Sequence, residues 1–125
     1  MSDNVKKYGL WALKILAALA FLSAGYFKLT GAPMMVQTFD AIGVGQWFRI
    51  VTGAIEVAGA VLLFVPGIQA YGASLLAATM VGAVIAHVTI LGAATMLPAV
   101  ILLLITATIA WAHRDQLPIG QGAHA

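Results

Sequence analysis

The sequence predicts an all-α integral membrane protein, an up-down-up-down four-helix bundle with a short interfacial helix between the first and second spans. Composition and segmentation predict it. Of 125 residues, 62% are hydrophobic and 8% are charged, whereas a soluble domain carries about 25% charge. Too few polar side chains remain to cover a globule, so the solvent around most of the chain is expected to be lipid. The apolar residues also gather into four stretches, each near the ~20 residues that cross ~30 Å of hydrocarbon.

The first stretch runs from about Leu10 to Leu29, interrupted only by Lys14 and Lys28. Its leading Lys6 and Lys7 and the Leu22-Ser23-Ala24 segment loosely fit a secretory signal. The run continues through Tyr26 and Phe27 to a charged end, so it is read as an uncleaved span. The second stretch, Trp47 to Val65, holds Arg49 and Glu56. The third, Ala70 to Leu91, holds His87, and the fourth runs from about Met96 to Ala112. One membrane domain over residues 10–112 follows, with tails at 1–9 and 113–125.

The breaks are short, which makes neighbouring helices antiparallel. Pro66-Gly67 is a turn signal. Pro98 suits the first turn of a helix, where its missing N–H costs little. The one long connection is Thr30 to Gln46, where Met35, Phe39 and Ile42 fall at i, i+4 and i+7. That spacing predicts a short amphipathic helix on the membrane surface.

Charge sets the expected orientation. The side of the termini carries Lys6, Lys7, Lys14 and Arg114, and the opposite side Lys28 and Arg49. The excess of cations puts both termini in the cytoplasm. Lys14 is expected to snorkel to that interface beside Tyr8 and Trp11. Trp47 and Trp111 fall where an aromatic belt would lie. The scattered cations form no stripe, which argues against nucleic-acid binding. The absence of cysteine removes disulfides, thiolate catalysis and iron–sulfur clusters.

Glu56 is the most informative residue. It lies roughly 12–14 Å into the second span at 1.5 Å per residue. A carboxylate there costs about 2.5–3.5 kcal/mol on insertion scales, so it is expected to face the bundle interior with a partner. Lys28, Arg49 and His87 all fall in the same half of the membrane. The four residues Lys28, Arg49, Glu56 and His87 are therefore the candidate binding site; no catalytic residue is assigned. Against this stands a purely structural ion pair at Glu56, interfacial anchoring of Lys28 and Arg49, and a plain interhelical hydrogen bond for His87. A metal is not expected, because Glu56 and His87 lack further ligands. Small residues lie on the same faces: Ala20 and Ala24, Gly53, Gly59 and Ala60, and a ridge of Ala78, Gly82 and Ala86. They would let helices approach closely.

These residues carry a resemblance. Phe21 to Gly31 with Lys28, followed by Pro33, Phe39 and Gly43, resembles the opening of DoxX-like membrane proteins. Gly53 to Gly59 around Glu56, with Leu63 and Pro66, looks like that family's second helix. Gly82 to His87 looks like its third. The resemblance covers roughly residues 10 to 110. It implies a multi-pass protein of the bacterial cytoplasmic membrane. The family name comes from a subunit of a thiosulfate:quinone oxidoreductase, and other members are associated with oxidative-stress complexes and quinone or catechol detoxification. The expected function is a redox-associated subunit or enzyme handling a quinone-like or other small amphiphilic molecule, with a quinone as the cofactor to test. The alternatives are a non-catalytic binding or assembly protein and a small homo-oligomeric proton-coupled transporter. The expected partners are the lipid bilayer, a second copy of the chain or a redox partner subunit.

Overall fold

The computed structural model describes residues 2–118. The rest of the predicted C-terminal tail, residues 119–125, lies outside them. The described residues form an all-α structure without strands. Its helices are α1 (Asp3–Thr30), α2 (Pro33–Ile42), α3 (Gln46–Leu62), α4 (Gln69–Ala86) and α5 (Leu97–Ala112). A π-helical turn, His87–Leu91, extends α4.

Local chemistry sets these bounds. The Ser2 hydroxyl accepts from the Val5 N–H at 3.3 Å and caps α1, while Asp3 complements the positive end of its dipole. α1 stops at Gly31, whose φ of +73° is open to glycine and whose N–H returns to Phe27. Pro33 starts α2 and Pro98 lies in the first turn of α5, where neither removes a helical bond.

The helices pack antiparallel, as their contacts show. An added Cβ at Gly25 would lie 3.0 Å from the Gly53 carbonyl oxygen, and one at Gly53 would lie 2.9 Å from Lys28 Cβ. Sequence runs up α1 as it runs down α3. One interface along, a Cβ at Gly72 would meet Leu62 Cβ at 2.6 Å and the Gly59 carbonyl at 2.9 Å. The α1–α3 and α3–α4 interfaces thus bring backbone against backbone, which only glycine permits. α5 packs chiefly on α4. The Ala78–Gly82 part of the predicted ridge does not serve this packing. Ala78 and Gly82 are exposed, and a Cβ at Gly82 would meet nothing within 4 Å.

Ala17, Phe21, Leu63, Ala73, Leu76 and Ile109 are fully buried and form one core. The outward faces carry large apolar side chains: Leu19, Ile85, Leu97 and Leu104 are all more than half exposed. Such surface is costly in water.

Two helical stretches are long and apolar enough to cross a membrane, Asp3–Thr30 and Gln69–Leu91. α3 and α5 are shorter than the expected spans, with 17 and 16 residues. The chain turns after Leu62 ahead of Pro66-Gly67, and α5 begins only at Leu97.

Candidate functional site

Glu56 lies on the buried face of α3 with Gly53, Gly59 and Ala60. It is 1% exposed. Lys28, in the last turn of α1, reaches it across the interface that Gly25 and Gly53 hold tight, and Nζ stands 2.7 Å from Oε1. Oε1 is in direct charge-assisted contact with the ammonium, the partner that a buried carboxylate needs. The ammonium carries three N–H donors, and Glu56 is its one ionic acceptor among the described residues. The ammonium therefore keeps unspent hydrogen-bonding capacity.

Arg49 belongs to the same corner but in a different role. Its Nη1 donates to the Lys28 backbone carbonyl, and its Nε donates to Gln46 Oε1 at 2.8 Å. Gln46 Nε2 donates in turn to the Val36 carbonyl at 3.0 Å and to Asp40 Oδ1 at 2.7 Å. The guanidinium thus closes an orphan carbonyl at the C-terminus of α1, where a cation also suits the dipole. The network ties α1, α2 and α3 together and fixes the residue that bears the ammonium. Arg49→Ala is expected to cost about 1.5–3 kcal/mol, the range for a charge-assisted hydrogen bond. Arg49→Lys recovers only part, because a lysine lacks the fork that serves both acceptors. Detergent unfolding curves of the two variants check this.

His87 stands apart. Its Nδ1 is 2.8 Å from the Ala83 carbonyl, one turn back on its own helix. A carbonyl only accepts, so Nδ1 is the donor in this contact. No hydrogen bond or ion pair joins it to Lys28, Arg49 or Glu56 among the described residues. The π-helical turn begins at His87, with the Gly92 N–H returning to its carbonyl at 2.7 Å. Of the four expected site residues, the structure joins Lys28, Glu56 and Arg49 and leaves His87 outside their bonded network.

A second polar cluster lies at the other end of the core. Lys14 is not the snorkelling residue expected from sequence; it is 3% exposed. Its ammonium lies 5.1 Å from the centre of the Trp11 ring, and Trp11 stacks on Phe64 with centroids 5.8 Å apart. A cation–π contact replaces part of the lost hydration. His113, just past α5, has its Nε2 buried without a hydrogen-bond partner. Burial, and then the positive charge of Lys14, hold the His113 imidazole below its ordinary pKa. The sign follows: protonation favours the unfolded chain, so stability falls as pH drops below the ordinary histidine range. Unfolding midpoints between pH 7.5 and 5 are expected to fall more in the parent chain than in His113→Asn. The sequence held a signal for Lys14, since residues 14, 21 and 28 repeat at seven on one face of α1.

No three of His, Cys, Asp and Glu gather as a metal site among the described residues. What the site defines is a helical, membrane-type protein with a buried interhelical ion pair. A family model for the DoxX-like family, a membrane-associated family, matches residues 12–109, and the chain belongs to that family. No curated protein and no solved structure matches it.

Proposed function

We propose that the chain is a multi-pass protein of the bacterial cytoplasmic membrane. In this reading α1, α3, α4 with its π-helical extension, and α5 cross the bilayer up-down-up-down, and α2 lies at the outer interface. The cation excess at Lys6, Lys7, Lys14 and Arg114 supports cytoplasmic termini. The exposed apolar faces support lipid around the helices.

Within it, the Lys28–Glu56 pair handles a small amphiphilic, quinone-like molecule entering from the outer half of the membrane. The single observation that carries this reading is a buried carboxylate paired with an ammonium that keeps further N–H donors beyond that contact. Lys28 has free donors for a carbonyl or oxyanion oxygen. Glu56, beside it, can hold or release a proton. A quinone supplies a redox couple that takes up protons as it is reduced. Arg49 and Gln46 act on the ligand only through the position of Lys28. The transporter alternative needs a polar path between the two ends of the core. Instead Phe21, fully buried, stands midway between Lys14 and Lys28 in the core of Leu63, Leu76 and Ile109.

The test is a titration of the purified protein in nanodiscs with a ubiquinone or menaquinone analogue. Saturable binding that weakens at least about tenfold in Glu56→Gln and in Lys28→Gln is expected, the loss of a hydrogen bond to a charged group. Unchanged binding in both folded variants would remove the mechanism. A second reading, a non-catalytic assembly protein, is favoured by the outward Ala78–Gly82 ridge, a face on which another helix could sit closely.

A further inference from the structure

We propose that the groove between the N-terminal turns of α1 and the C-terminal half of α5 seats an anionic phospholipid of the leaflet on the side of the termini. An acyl chain lies along its floor and the phosphate sits at Lys6 and Lys7. This takes from the preceding section only that the chain lies in a bilayer, and it is independent of the Lys28–Glu56 site.

Unequal helices make the groove. At 1.5 Å per residue α1 is roughly 42 Å long and α5 roughly 24 Å. α5 stops at Ala112, and its neighbour His113 lies within electrostatic reach of Lys14. The first turns of α1 therefore have little of α5 beside them, and a groove of about 780 Å³ opens there.

Its lining changes character along its length. Asp3, Lys6 and Lys7 line it over the first turns of α1, and Gly9, Leu10 and Leu13 follow along the same helix, with Thr108 of α5 opposite. Two cations against one acid leave that end positive. Lysines at this level attract anionic headgroups, and the apolar floor beneath suits one hydrocarbon chain. Gly9 supplies the room: a Cβ there would meet nothing within 4 Å. A phospholipid has the same order of parts, charged end outward and apolar chain inward. An apolar peptide would leave the lysines without a counter-charge.

The test uses the full chain purified in a mild detergent, with native mass spectrometry and thermal unfolding as readouts. The probes are phosphatidylglycerol, phosphatidylcholine with the same acyl chains, and glycerol 3-phosphate as a headgroup without chains. The parent protein is expected to retain one phosphatidylglycerol and to gain thermal stability from it, with phosphatidylcholine weaker by on the order of tenfold. Gly9→Leu, which fills the floor, is expected to lose that retention while unfolding no earlier than the parent in detergent alone. A Lys6→Gln/Lys7→Gln variant is expected to bind the two lipids equally. Equal retention of both lipids by the parent, full retention by Gly9→Leu, or the whole thermal gain from glycerol 3-phosphate would each overturn the proposal.

Discussion

Lys28→Met is expected to destabilise the protein by about 3–5 kcal/mol, because it leaves the Glu56 carboxylate buried with its counter-charge removed. Glu56→Met is expected to cost a similar amount by stranding the ammonium. The double variant Lys28→Met/Glu56→Met is expected to recover most of the loss, since apolar side chains of similar volume often replace a buried pair at little cost. Unfolding by SDS in mixed micelles gives all four corners of the cycle. Strong non-additivity supports the pair, and simple addition of the two losses contradicts it. A double variant that is stable but binds no quinone analogue would separate structural from functional roles.

The second large effect concerns glycines. Gly72→Ala is expected to cost about 1–3 kcal/mol from overpacking. Its Cβ would stand 2.6 Å from Leu62 Cβ and 2.9 Å from the Gly59 carbonyl. Neither neighbour is a flexible side-chain end, so α3 and α4 must separate. Gly82→Ala, ten residues along the same helix, is expected to gain up to about 1 kcal/mol from helix propensity. The opposite signs distinguish a helix contact inside the chain from an outward face. If Gly82→Ala also dissolves an oligomer, the assembly reading gains support.

The elements themselves were largely legible in the sequence. Apolar runs, Pro66-Gly67 and Pro98 marked four long helices, and the period of Met35, Phe39 and Ile42 marked α2; the start of α1 was missed, since it begins at Asp3 and takes in most of the expected N-terminal tail. The inward turn of Glu56 and its meeting with Lys28 were also legible, because a carboxylate in an apolar run has few stable places to go. Other features were not. Sequence depth placed His87 beside the pair, but depth says nothing about azimuth, and its bond goes back to Ala83. Arg49 was expected as a binding residue beside Glu56 or an interfacial anchor, and its bond to the Lys28 carbonyl was not legible because an open carbonyl at the end of α1 is a property of the folded backbone. Gln46 gave no signal, since it starts α3 and two of its three partners, Val36 and Asp40, come from a separate helix. Lys14 was misplaced because its nearness to the chain end outweighed its heptad spacing from Lys28. The Ala78, Gly82 and Ala86 pattern showed that close approach was allowed, not which neighbour would use it.

Glu56 is the sole glutamate in the sequence, so labelling glutamate with ¹³C at its carboxyl marks one site. The most direct measurement is the magic-angle-spinning NMR distance from that carbon to lysine ¹⁵Nζ in lipid bilayers. Strong dipolar dephasing is expected, from an Nζ–Oε1 contact of 2.7 Å, and it is expected to vanish in Lys28→Met. A carboxyl carbon that shows no lysine nitrogen nearby, or one whose dephasing survives Lys28→Met, would contradict a pair joining α1 to α3.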